Sequence, residues 1–338
     1  MLATLSRATL PEAAPPAPPR SVRARSADEL LKAMRHKDAG AINVERDGLD
    51  RILRFDAAHH LVEVQVGTSW AALCAYLSEC GPGLTAFAEC EQMLHTIGES
   101  VAVNAAGPDG RPVVTHVESL AIVTPDGSMR RASRFVNKEL FALAVGGQDL
   151  FGAPYSVTLR VDSLLRSARD RRPAELLEIA PAGDEASHCI LRLLVPPQRL
   201  GDVVSEVREH CADWRIPIRH VAARRVLPED ETLLRWARSE CAELTLRFAV
   251  PAVLGGSVRS VQLRRELIDV ALAAGGGFPI ADTFHASREQ TEACYPELKT
   301  FLAEKRRRDP EERLNNAWYH HYRGLLAREV CPVRWSAP

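Results

Sequence analysis

The period of the apolar positions changes several times along the chain, and each change marks an element. Ser26-x-x-Glu29 ahead of Leu30, Leu31 and Met34 is a capping box opening a short amphipathic helix. Ala41 to Val44 and Leu61 to Val66 predict strands, with Gly48 to Ile52 as a turn between them; in the second, Val62, Val64 and Val66 alternate with Leu61, Glu63 and Gln65. Gly67-Thr68-Ser69 caps a helix from Trp70 to Leu77, and Cys80-Gly81-Pro82-Gly83 stops it. Glu118 to Thr124 and Met129 to Ser133, joined by Pro125-Asp126-Gly127-Ser128, predict a hairpin. Asn137 to Phe141 starts another short helix. The run Gly146-Gly147-Gln148-Asp149-Leu150-Phe151-Gly152 then feeds a strand from Ser156 to Val161.

Beyond Val161 the texture changes. Ala168 to Glu185 is rich in Arg, Pro and Glu and reads as a connector. A strand (Cys189 to Val195), a helix (Leu200 to Trp214), a strand (Ala242 to Val250) and a helix (Ser257 to Ala274) follow. That order predicts a second α+β unit, an antiparallel sheet with helices on one face. Glu289 to Arg308 is a last helix whose basic end, Lys305 to Arg308, complements the helix dipole and reads as a solvated terminus. Residues 1–20, rich in Pro and Ala, have too few large apolar side chains to offset their ordering entropy and are expected to form a loose tail.

At 338 residues the chain exceeds what one core usually serves, so two domains are expected. A net charge of -1, from 43 basic and 44 acidic residues, carries no footprint of nucleic acid or an anionic membrane. The eight cysteines include no C-x-x-C pair, which speaks against zinc ligation and against a disulfide scaffold, and no metal site is expected. With no apolar signal core and no run long enough to span a bilayer, a cytoplasmic protein acting on a small-molecule substrate is expected.

Chemistry enters with the glycines. A Gly-rich turn feeding a strand lets backbone approach a flat, phosphate-bearing ligand closely, because no Cβ holds it off. The P-loop, G-x-G-x-x-G, G-x-S-x-G and H-E-x-x-H motifs do not occur. What does occur is an order of features: Leu49-Asp50-Arg51-Ile52, the strand ending at Gly67, Trp70 with its helix, Thr96-Ile97-Gly98, Val117-Glu118-Ser119-Leu120 with Thr124-Pro125-Asp126-Gly127, Glu139-Leu140-Phe141, Gly146-Gly147 and Phe151-Gly152. This order resembles the vanillyl-alcohol oxidase/p-cresol methylhydroxylase (PCMH) type of FAD-binding domain. The segments Cys294 to Leu302, Lys305 to Arg313 and Trp318 to Tyr322 are similar to the closing helix and return strand of the subgroup related to sugar-lactone oxidases and decaprenylphosphoryl-ribose oxidase.

The resemblance implies an α+β fold with a two-subdomain PCMH-type FAD-binding domain over residues 21–165, a cap domain over 166–285 and a closing segment, 286–338, packed on the first. It implies FAD, held noncovalently because Ala106 stands where many relatives carry an attaching His. It also implies oxidation of a hydroxyl-bearing, sugar-like substrate by hydride transfer to the flavin. Thr96, Ile97, Gly98, Asn104, Gly107, Gly146, Gly147, Phe151 and Gly152 fall at its cofactor-binding positions. Candidate catalytic residues are Asp282 and His285, on the loop after Gly275-Gly276-Gly277, with Tyr319 and His321 near the C-terminus; a His beside a carboxylate can serve as a general base near neutral pH.

Departures from the pattern cluster at one place. The family's Gly-rich diphosphate loop is missing, since Lys37-Asp38-Ala39-Gly40 runs straight into Ala41. Glu99 stands where a second glycine would face the diphosphate, Ala153-Pro154-Tyr155 replaces a smaller segment, and Asp282 falls near a cap-domain lysine of the subgroup. A second expectation follows: a flavin-free descendant of the fold, serving as a noncatalytic subunit or binding protein or performing redox-neutral chemistry in the emptied pocket. A partner chain supplying the missing function would reconcile the two.

Overall fold

The computed structural model describes residues 20–36, 40–78, 85–90, 93–179, 187–250 and 256–327. The expected tail over residues 1–19, the Lys37 to Ala39 stretch, the helix stop at Cys80 to Gly83 and the connector residues 180–185 lie outside the described residues.

The chain opens with β1 (Arg20–Arg23), α1 (Ala27–Arg35) and β2 (Ile42–Glu45), and the two strands pair directly in parallel. Ser26 accepts from the Glu29 amide (3.2 Å), as its capping box requires. A five-stranded antiparallel sheet follows, built from β3 (Ile52–Asp56), β4 (Leu61–Gln65), β5 (Val117–Val123), β6 (Met129–Ser133) and β7 (Ala153–Arg160) in the order β3-β4-β7-β5-β6. Its helices are α2 (Trp70–Tyr76), α3 (Thr85–Ala88), α4 (Ile97–Val103) and α5 (Lys138–Ala144). Val62, Val64, Leu120, Val157 and Leu159 are fully buried, so the alternation in the central strands places one residue set in the core.

After α6 (Val161–Arg169) come β8 (Glu175–Ile179), β9 (Ser187–Val195), α7 (Leu200–Asp213), β10 (Ile218–Val226), β11 (Cys241–Val250) and α8 (Gly256–Ala273). The strands form an antiparallel sheet in the order β8-β10-β11-β9, with α7 and α8 packed together and α8 against β9 and β11. The chain closes with α9 (Arg288–Cys294), α10 (Leu298–Arg308) and α11 (Ala317–Ala327). Arg313, between the last two, donates to the carbonyls of Ala33, Met34 and His36 and so ties the closing segment to the end of α1. Mixed helices and antiparallel sheets make this the α+β architecture expected.

Several elements differ from the sequence reading. β3 occupies residues read as turn and loop; it is an edge strand with a register irregularity between Ile52 and Arg54, which breaks the period of two. The connector holds the end of α6, which starts at Val161 where the preceding strand was expected to end, and β8. β10, a central strand, carries Arg219, Arg224 and Arg225, and its polarity concealed it. The predicted last helix is two, broken where Tyr295 precedes Pro296, because a residue before proline is driven from helical geometry. The return strand is a helix, α11, which buries Trp318, Tyr319 and Tyr322 at helical spacing.

Candidate functional site

The first turn of α4 contains the Thr96-Ile97-Gly98 positions, and every amide there is engaged within the protein. Thr96 N donates to Glu99 Oε2 (3.0 Å) and Glu99 N to Thr96 Oγ1 (3.2 Å), a reciprocal capping box. Ile97 N donates to Thr68 O (3.0 Å) and Gly98 N to Val66 O (2.8 Å). A Cβ on Gly98 would lie 2.6 Å from that same carbonyl, so this glycine serves close packing of α4 on the end of β4.

The glycine run is engaged in the same way. Gly146 N donates to Val101 O (2.9 Å) and Gln148 N to Ala102 O (2.9 Å), satisfying carbonyls at the C-terminal end of α4. A Cβ on Gly147 would come within 1.9 Å of Leu143 O, and one on Gly152 within 2.5 Å of Ile122. Phe151 is buried against Phe301, ring centroids 5.0 Å apart. Gly107 pairs its amide with Arg111 O (2.7 Å). Asn104, in left-handed geometry at φ 51°, accepts from Val114 N (3.0 Å) through its side chain and donates to Glu229 (3.3 Å). Thr96, Ile97, Gly98, Asn104, Gly146 and Gly147 are thus brought together at α4, while Phe151 and Gly152 pack against Phe301 and β5, and most of these residues hold the protein to itself.

Between β2 and the 148–154 loop lies a cleft of only about 70 Å³, bounded also by Leu314, Asn315 and Asn316. Arg46 and Asp149 form an ion pair at it, and Asn316 Nδ2 donates to Gln148 O (2.9 Å). Burial lowers the pKa of Arg46, while the nearby Glu99 carboxylate favours its charge.

A larger chamber, about 290 Å³, opens between the C-terminal end of α4 and the second sheet. Leu94, Val103, Leu234, Trp236 and Ile280 give it apolar walls. One wall is charged: Arg224 on β10 pairs with Glu243 on β11 (2.9 Å), Glu243 lies 3.7 Å from Arg192 on β9, and Arg192 pairs with Asp282 (2.9 Å). Arg224 and Glu243 are almost fully buried, and Arg224 also donates to the carbonyls of Gly107 (3.2 Å) and Ala106 (3.3 Å). Burial raises the Asp282 carboxyl above the usual range, Arg192 opposes that, and Glu243 adds to it. Its side chain is 46% exposed, so it remains reachable from the chamber.

Of the four expected catalytic residues, Asp282 lines this chamber, and its ion-pair partner is Arg192 rather than His285. His285 lies near Arg264, His321 and Arg265; burial first, then these neighbours, lower its pKa to about 4. His321 packs edge-on against Phe284, and Tyr319 hydrogen-bonds to Glu312 (2.8 Å). Arg192, Arg224, Glu243 and Trp236 were missed because they sit on or beside strands whose contact was not legible. Arginines and a glutamate within otherwise apolar strands were the available signal.

Residues 19–133 match the FAD_binding_4 family model, described as an FAD binding domain. No curated protein matches the chain. The match points to a PCMH-type FAD-binding domain and, in general class, to the FAD-dependent oxidoreductases.

The residues present fit FAD at one end and not at the other. The chamber has the mixed apolar and polar lining of a small-molecule site and lies near the lower limit of the roughly 300–1,000 Å³ typical of such sites. Among the described residues the adenine nucleotide half meets no cradle at α4, whose first turn has no unengaged amide, and the cleft beyond Gln148 is narrow and carries the Arg46–Asp149 pair. Among the described residues no group could hold a metal ion, and no helix is long and apolar enough to cross a membrane.

Proposed function

We propose that this chain is a flavin-linked oxidoreductase acting on a hydroxyl-bearing, sugar-like small molecule, with the 290 Å³ chamber as its working site. The match over residues 19–133 supports the cofactor class. The observation that carries the placement is the charged wall of the chamber, where three cap strands and the Asp282 loop converge on the C-terminal end of α4.

The protein's own part in such a reaction is orientation and proton handling. Arg192 can donate to a substrate or ring oxygen while holding Asp282 in place, and Arg224 and Glu243 fix the wall behind them. Oxidation of a hydroxyl carbon would release a hydride, which a bound flavin would accept, and a proton, for which Asp282 is the acceptor at the wall. Asp282→Asn should therefore lower turnover by about 10²- to 10⁴-fold with a smaller change in KM. Loss of less than about fivefold would remove Asp282 from the role.

A second reading has its own support. The engaged amides of α4 and the closed cleft favour a flavin-free protein that uses the chamber for a small ligand, as a binding subunit or for redox-neutral chemistry. The purified protein separates the two. A flavin band at about 450 nm, or a rise in Tm with added FAD, supports the first, since a ligand at a hundredfold excess over Kd stabilises by roughly 2.7 kcal/mol. Neither signal would leave the second.

A further inference from the structure

We infer that the chamber takes a flavin ring without an adenine nucleotide attached, so that riboflavin, the ring with a short polyol tail, is as good a ligand as FAD. The inference rests on the flavin-linked reading and narrows it.

Two independent observations carry it. The first is the polarity of the chamber. An isoalloxazine ring is flat, with a hydrocarbon edge at its dimethylbenzene end and donors and acceptors at its pyrimidine end. The chamber offers Leu94, Val103, Leu234, Trp236 and Ile280 to the first. To the second it offers Arg192 and Glu243 at the charged wall, with Asp282 left for the substrate. The Arg192 side chain stays 29% exposed at this wall, its Nε turned to Glu243, so its outer N–H groups are the donors within reach of a ring carbonyl. In a site of this kind apolar contact supplies affinity and a few polar groups fix orientation.

The second observation concerns what lies beyond. Gln148 borders both the chamber and the 70 Å³ cleft, so a tail leaving the ring on this side meets that residue first. Past it stand the Arg46–Asp149 pair at the narrow cleft and Asn316, which holds the Gln148 carbonyl, while β1 pairs directly with β2. A diphosphate normally contributes through charge-assisted bonds from backbone amides at a helix N-terminus. Those amides are occupied here by Thr68, Val66, Thr96 and Glu99. The adenine nucleotide half of FAD therefore gains no amide contacts from α4.

The test is a titration of the purified full chain with riboflavin, FMN and FAD, followed by quenching of flavin fluorescence, to which Trp236 in the chamber wall contributes. The dissociation constants of riboflavin and FAD are expected within fivefold of each other, with FMN between or beside them. FAD binding more than fivefold tighter than riboflavin would overturn the inference while leaving the flavin-linked reading intact. Binding of none of the three would remove both. Arg192→Leu, with its Tm checked against the parent, should weaken riboflavin about tenfold; unchanged affinity would place the ring elsewhere and overturn the assignment.

Discussion

His116 shows what a single buried residue contributes to the first unit. It is fully buried, its Nδ1 lies 2.8 Å from Ser163 Oγ, and its Nε2 has no hydrogen-bond partner. Burial lowers its pKa to about 4, with Asp109 favouring the charged form and Arg160, Arg111 and Arg166 opposing it. Because the folded value lies below the unfolded one, the unfolded chain binds the proton first as pH falls. Stability is therefore complete above about pH 6.5 and is lost down to about pH 4, by an amount on the order of 3 kcal/mol from this group. Urea midpoints measured across that window should fall with pH, and His116→Gln should flatten the slope; equal slopes would refute the assignment. Asn104 is the companion case. Its side chain satisfies Val114 N and Glu229, and its carbonyl accepts from Trp236 Nε1 (3.0 Å), all from a left-handed backbone. Asn104→Ala should cost about 2–3 kcal/mol, from unsatisfied buried groups and strain together. Asn104→Gly, which relieves the strain alone, should recover part of it by chemical denaturation.

At the scale of elements, α4 decides how the cofactor question is read. Glu99 turns back onto Thr96 N, so its carboxylate caps a helix. Glu99→Ala should lower stability by about 0.5–2 kcal/mol, as loss of a cap does, and Glu99→Gln, which preserves the capping pattern, should be nearly neutral. A Tm series on the three proteins checks this, and identical values would mean that the box contributes nothing. Thr96-x-x-Glu99 is as legible in the sequence as Ser26-x-x-Glu29, yet it reads as a ligand turn when attention is on the glycine beside it. The same holds for Gly147 and Gly152, whose lack of a Cβ serves backbone packing. The central strands β4, β5 and β7 were legible because one face is buried and the period of two survives. β10 was not, because Arg224 lies in the interior only by virtue of Glu243 on the neighbouring strand, and pairing across strands cannot be read from one of them. Nor could the chamber be read, since its wall is assembled from β9, β10 and β11, far apart in the chain.

At the scale of the whole molecule, the second sheet is fastened over the first unit rather than laid on it. Leu227 N donates to Gly110 O (2.9 Å), Leu233 N to Ala142 O (2.9 Å), and Arg134 bridges Val114 O and Glu231, both at 2.9 Å. Gly110, at φ +85°, comes so close to β10 that a Cβ would lie 2.2 Å from Arg225 O. Arg224 completes the seam by joining Glu243 to the carbonyls of Ala106 and Gly107. Contacts of this density and burial couple the units, so the chain should unfold in one calorimetric transition; two resolved transitions in the parent protein would show the seam to be weak. Arg224→Ala leaves Glu243 buried beside a more distant Arg192 and strands two carbonyls, which should cost about 3–5 kcal/mol. Replacing both partners, Arg224→Leu with Glu243→Leu, removes the unpaired charge and should recover much of that loss. If the double variant is as unstable as the single one, the contribution of Arg224 lies in its hold on Ala106 and Gly107 rather than in the ion pair, and the chamber wall is fixed from the α4 side.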